Sequence, residues 1–523
     1  MAPGGEVDSV IRDIFGEGFL RYDDTLPAYD LALLPQFLGE SETPYWGQQT
    51  SHLPPLQVLP SPTNNLLFEP LPRALPRAAS QDGTLYPLLG TFLDCLHPSM
   101  PFFMRSYLIN GMTERRHHSS RAFNALLHAI CALTLLQPVK GNQSLRRDRA
   151  QWAEQLLAKA TNLHAAHADF GEAPVLEHVM TSVFLFGCHF CRNTHNAAKV
   201  RLREAGALAD VMGLYNPASY ELVSAEEKDS RVRTVVLLTV IERIYALQRG
   251  HILYSHPLNG REIGRLLETA VQSAAAGNEA DYKAVEGLQH MIDQVDFIDD
   301  SVLRCWKETC RRDPQHRHVP ASTIRSLLKR YATPRPMHAL LCESQLADIV
   351  ITRHWVRHVL WNLGFRHGYL DATNPDPEMR PDHAMDIAQD AVVACEQFRG
   401  SLEVHGVGLA EKLYDIAVSA VSVAQPYYLP LTYYGSFPDQ GSPREGEDRM
   451  VEPSRQLPPR PEVADPNMSG GRQRWTRAAV RRLLNKYLAI LSLFRGGDHP
   501  FLRPYMQMLC ALDGGGVETV QVL

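Results

Sequence analysis

Between Val232 and Pro257 the chain carries the run that most limits its fold, VRTVVLLTVIERIYALQR followed by GHILYSHP. Val235, Leu238, Ile241 or Glu242, and Tyr245 recur at steps of three and four, and Val236 and Leu237 widen the apolar arc. A helix so apolar on most sides belongs inside a fold rather than on its surface. The preceding Glu226-Glu227-Lys228-Asp229-Ser230-Arg231 is the charged lead-in that opens a helix. Into this core run the sequence places Glu242, Arg243, Gln248 and Arg249. Charges in such a helix pair with others, because an unpaired buried charge is very costly. Glu242 and Arg243 are adjacent and point in different directions, so each needs a mate on another element. The pattern reads as structural ion pairing inside a large helical domain.

Composition sets the class around that helix. Of 523 residues, 45% are hydrophobic and 21% charged, as in ordinary globular proteins, and a net charge of −6 gives no overall basic footprint for nucleic acid. Nine cysteines are scattered through mostly apolar stretches, which suits buried thiols in a reducing compartment better than a disulfide framework. MAPGGEVDSVIRDIF lacks a basic region followed by an apolar core, and no apolar run approaches the ~18 residues of a membrane span. The expectation is an intracellular, soluble protein.

Residues 1–43 hold nine acidic side chains against Arg12 and Arg21, interleaved with aromatic and leucine residues, a composition that stays solvated until a partner offers a groove. Seven prolines fall within residues 51–80, which reads as a linker. Residues 1–83 are therefore expected to be a disordered acidic, then Pro-rich region. From Thr84 helical periodicity takes over. It places helices over Tyr86–Leu96, from Ser119-Ser120 to Pro138, over Arg149–Asp169, Val175–Cys191 and Asn196–Met212, and then in the central run. Strand alternation is nearly absent, so the fold class is all-α. The helical domain is placed at 84–435, a disordered Pro-, Gly- and Ser-rich insertion at 436–471, and helices packing back on the main domain at 472–523.

The run Ile241-Glu242-Arg243-Ile244-Tyr245-Ala246-Leu247-Gln248-Arg249 resembles the middle homology region of fungal zinc binuclear-cluster transcription regulators, particularly those related to starch- and maltose-utilisation activators. Further matches recur in family order: Asp293, Phe297, Ile298 and Trp306 within Leu288–Lys307; the run from Glu343 to Trp355; the run from Glu403 to Ala417; and Leu493–Leu502. The resemblance covers roughly residues 84–512. Family members usually begin with six cysteines that hold two zinc ions and present a helix to DNA. Here the first cysteine is Cys95, inside the helical domain, so the resemblance implies no zinc-cluster head in this sequence.

Other chemistry is thin. Cys188, Cys191 and His195 give C-x2-C-x3-H, half a tetrahedral zinc set, but Phe184, Leu185, Phe186 and Phe190 make their helix a core element. His164 and His167 near Asp169, and His117-His118 beside Arg115-Arg116, read as solvated polar faces. No G-x-S-x-G elbow or phosphate-cradling loop is present, and Gly406 and Gly408 after His405 read as a helix-packing turn. Arg472, Arg474, Arg477, Arg481, Arg482 and Lys486 beside Trp475 form a solvated amphipathic helix with Val480, Leu483, Leu484, Tyr487 and Leu488 beneath.

The sequence thus predicts no catalytic residues, no metal site, no cofactor, and no sequence-specific DNA binding by this chain. The resemblance implies a nuclear regulator of a fungal, pathway-specific gene set, in a secondary-metabolite cluster or in carbon use. It would act through a complete zinc-cluster regulator or the transcription machinery, with room for a small-molecule effector among buried polar groups. Two alternatives remain: a DNA-binding activator whose zinc-cluster exon lies upstream, and an all-α enzyme in which Glu242, Arg243, His354 and His405 converge in a cleft.

Overall fold

The structure, a computed structural model, describes residues 81–137, 143–166, 172–221, 223–253, 260–276, 279–312, 318–333, 341–428 and 475–512. The expected acidic and Pro-rich segments before residue 81, and the expected insertion at 436–471, lie outside them. Among the described residues there is no strand, and the all-α expectation holds. None of the described helices is long and apolar enough to cross a membrane.

The first half runs through α1 (Gln81–Thr91), α2 (Arg105–Thr113), a single turn α3 (Arg116–Ser119), α4 (Arg121–Leu136), α5 (Gln143–Ala165), α6 (Leu176–Cys191) and α7 (His195–Val211). α4 is capped by Ser120, which accepts the Phe123 amide at 3.2 Å, and nearly its whole circumference is buried. It packs between α5 and α6, with α7 against α6.

The central run forms α8 (Ala225–Arg249). Ser224 caps it by accepting the Glu227 amide, Glu226 and Glu227 sit on its positive end, and Gly250 closes it in the left-handed region at φ 61°. The charged lead-in is less solvated than its composition suggests. Asp229 lies one turn before Arg233, and the two pair at 2.7 Å with both side chains fully buried. The i,i+4 spacing that makes this possible is visible in the sequence.

The second half contains α9 (Gly260–Ala276), α10 (Glu279–Val295), α11 (Asp300–Trp306), α12 (Ala321–Ala332), α13 (Glu343–Arg366), α14 (His383–Gln397), α15 (Gly406–Tyr428), α16 (Arg477–Leu491) and α17 (Leu502–Leu512). α13 is flanked by α12, α14 and α15, while α10 bridges it to α8. α16 lies on α14 and α15, burying Val480, Leu483, Leu484 and Tyr487 and leaving Arg477, Arg481 and Arg482 exposed, as the amphipathic pattern required. Arg472 and Arg474 lie outside the described residues. One hydrophobic core extends from Leu85 to Tyr505. Arg495, beyond α16, reaches back to the first half and donates to the last carbonyls of two helices, Cys191 O at 2.9 Å and Leu136 O at 2.7 Å.

A candidate ligand cavity at the helix junction

Where α6, α8, α10, α13 and α15 meet under the turn 95–101, the core leaves a cavity of about 240 Å³. Its walls are mostly apolar: α6 contributes Phe186 and Phe190, α8 contributes Val240 and Ile244, and α10 and α13 add Met291 and Ile349. An apolar void of ~150 Å³ admits benzene, so this space takes a distinctly larger molecule. It differs from a packing defect in carrying convergent polar groups along one wall, the usual make-up of a small-molecule site.

That wall is built by α13 and α15. Asp348 accepts from Lys412 Nζ at 3.4 Å and from the Thr352 hydroxyl at 3.2 Å, and Lys412 also donates to Thr352 Oγ1 at 2.7 Å. Burial alone would raise the Asp348 pKa, but Lys412, His405 and the Thr352 hydrogen bond outweigh it and hold the carboxyl below its ordinary range. His405 Nε2 lies 2.8 Å from Ser344 O. A carbonyl can only accept, so Nε2 carries the proton and Nδ1, 4.0 Å from Asp348 Oδ2, is left with its lone pair. Burial lowers the His405 pKa, with Asp348 and Ser344 opposing, so the ring is neutral at pH 7. The wall therefore presents a balanced Asp–Lys pair and a neutral imidazole acceptor.

Local structure fixes these groups. Gln345 Oε1 accepts the Cys342 amide at the start of α13, while its Nε2 donates to Pro98 O and Lys283 O, both at 3.0 Å. One side chain thus joins the 95–101 turn, α10 and α13. Gly287 makes room for it, since a Cβ there would lie 2.5 Å from Gln345 Nε2. Gly406 starts α15 at φ 56°, and a Cβ would lie 2.0 Å from Gln137 Oε1, so the expected packing turn is one that only glycine fits. Gly408 meets only ordinary contact with Phe190.

Beside the cavity, Arg249 at the end of α8 finds its mate on α15. Its guanidinium forks onto both carboxylate oxygens of Glu411, Nη2 to Oε2 at 3.0 Å and Nη1 to Oε1, and it lies over the Phe190 and Tyr245 rings at 5.6 and 5.8 Å. Both side chains are almost wholly buried. The need for a partner was legible in the run around Arg249; Glu411, far away in sequence, was not.

The other candidates scatter. Arg243 donates to Asp296 at 3.5 Å, Glu242 lines a small separate recess with Lys199 and Arg203, and His354 lies against Arg357 at 3.1 Å. Of the four residues named for an enzyme cleft, only His405 lines the large cavity. Cys188 and Cys191 are buried with thiol pKa values raised by burial, and His195 lies against Arg249 at 3.2 Å. His164 and His117 are not on solvated faces as expected. His164 is 1% exposed, within 3.1 Å of Ser182 and 3.6 Å of Glu204, because α5 turns that edge toward α6; His117 is buried too. His167 and Asp169 lie outside the described residues.

The arrangement is that of an all-α domain with a partly open, largely apolar space and a charge-balanced hydrogen-bonding wall. Among curated proteins, the maltose fermentation regulatory protein MAL63 of Saccharomyces cerevisiae is similar to this chain, 23% identical over 260 residues. The match takes in 48% of this chain and 50% of that protein, so the chain spans about half the length of the curated relative it matches. No protein-family model matches the chain, and no solved structure does.

Proposed function

We propose that this chain is a regulator of transcription whose helical domain senses a small molecule and passes its state to a protein partner. The similarity to the yeast maltose regulator carries the first part of this reading. The cavity supports the second. Its balanced Asp348–Lys412 pair and the neutral His405 suit an uncharged, mostly apolar molecule with one or two hydroxyl or carbonyl groups, rather than a sugar whose every carbon is polar. That preference favours control of a secondary-metabolite gene set over direct sensing of a disaccharide. The partner is a complete zinc-cluster regulator or the transcription machinery, and the working compartment is the nucleus.

Deleting the gene and measuring genome-wide transcripts tests the reading. One co-regulated set should lose or gain expression, whereas an unchanged transcriptome with altered metabolites would favour an enzyme. A second reading, resting on the same similarity to a regulatory protein, is an activator with its own DNA-binding head. Six regularly spaced cysteine codons in frame upstream would establish it.

A further inference from the structure

Away from the cavity, four side chains from separate segments converge at the far end of α13. Cys305 stands in the last turn of α11, Cys310 in the 3-10 turn Thr309–Arg312, His318 shortly before α12, and His367 at the C-cap of α13. One ligand-type atom from each lies within 4.8 Å of all the others. We propose that Cys305, Cys310, His318 and His367 form a tetrahedral site for a structural zinc ion.

The chemistry of the donor set argues for a metal of this class. Two thiols and two imidazoles, with no carboxylate among them, are the soft-to-borderline ligands that zinc takes in closed structural sites. Zinc bonds of ~2.0–2.3 Å imply ligand-to-ligand edges of about 3.4–3.8 Å, and His318 Nδ1 already lies 3.2 Å from Cys310 Sγ. Drawing the rest in needs shifts of roughly an ångström or less. Two thiolates would cancel the dication, so the loaded site is neutral where both sulfurs are buried. Its surroundings are built as well. The Val319 amide donates to Cys305 Sγ at 3.3 Å, a contact that favours thiolate, and the Tyr369 hydroxyl holds Val319 O at 3.2 Å while its ring stacks on His367. Glu308, at φ 58°, reverses the chain between the two cysteines.

Four protein ligands leave no open position, so the ion would be structural rather than catalytic. It would fasten α11 and the approach to α12 onto the end of α13. Trp306 in the same corner donates to Leu247 O at 2.8 Å, so the clip extends to the end of α8. C-x4-C-x7-H alone resembles no common zinc spacing, and His367 arrives only through the fold.

The full chain, purified without chelator from zinc-replete cells, should contain about one zinc by elemental analysis, and cobalt substitution should give the visible bands of tetrahedral thiolate coordination. His318→Asn alters an exposed ligand and should keep the helical circular dichroism while zinc content falls below about 0.2 per chain. Cys305→Ser with Cys310→Ser should abolish the cobalt bands. Folded wild-type chain without zinc would overturn the proposal, whether its cysteines react freely with iodoacetamide or are joined as a disulfide. So would unchanged zinc content in the variants, which would place the metal elsewhere.

Discussion

At the scale of single residues, the sharpest energetic statement concerns Glu411. Removing it leaves the Arg249 guanidinium buried without its carboxylate, and Glu411→Ala should cost about 3–5 kcal/mol in denaturant unfolding. Arg249→Met combined with Glu411→Leu should recover most of that, because a well-packed apolar pair avoids the desolvation cost altogether. A variant as stable as the wild type would mean that the carboxylate contributes nothing to the fold. Gly406→Ala is a second case. It combines a left-handed backbone with a collision against Gln137 Oε1, and about 2–4 kcal/mol of lost stability is expected. Adding Gln137→Ala should restore the collision part only. These residues are unevenly legible in the sequence. The apolar run around Arg249 shows that it needs a partner, and the glycine at 406 marks a turn. Glu411 is not legible as that partner, because partner choice across helices is decided by how they dock, and no local spacing encodes that.

At the scale of elements, α8 and α13 show why helices were readable and their cavity was not. Apolarity on most sides signals a buried helix, and α8 is buried almost all round from Val232 to Leu247, with Ile241 and Ile244 the half-buried exceptions that face the cavity. A void has no residues of its own. Ile241, Ile244 and Ile349 look like core whether they meet another side chain or empty space. The polar wall was equally hidden, since Asp348 and Lys412 are ordinary helix residues until α13 and α15 come together. Val240→Phe enlarges a buried α8 side chain toward the cavity, where free volume spares it the usual overpacking penalty. Its melting temperature should match or exceed that of the wild type, and under the proposed effector-sensing role the transcriptional response to the effector should be lost. Strong destabilisation instead would show that no usable space exists at that wall.

At the scale of the whole molecule, buried neutral histidines tie the fold to pH. His354 and His358 are held down to about 3, first by burial and then by neighbouring arginines, and His97 to about 4, again first by burial. Unfolded histidines take up protons near pH 6.5, so below that pH the unfolded chain binds protons that the folded one refuses. Stability is present in full above pH 6.5 and is lost as pH falls toward 4, each such histidine contributing about 1.4 kcal/mol per pH unit. Melting curves at pH 7.5 and 5 should therefore differ steeply, and a flat profile would mean these rings are charged in the native state. The grip of Arg495 on the ends of α4 and α6 has a different consequence. Residues 475–512 are held by α14, α15 and two carbonyls from the first half, none of which depends on the peptide chain leading into them. The protein should therefore behave as a split protein: a cut between residues 429 and 474 would leave two fragments that co-elute and complement each other when expressed separately, and Arg495→Ala would weaken that reunion.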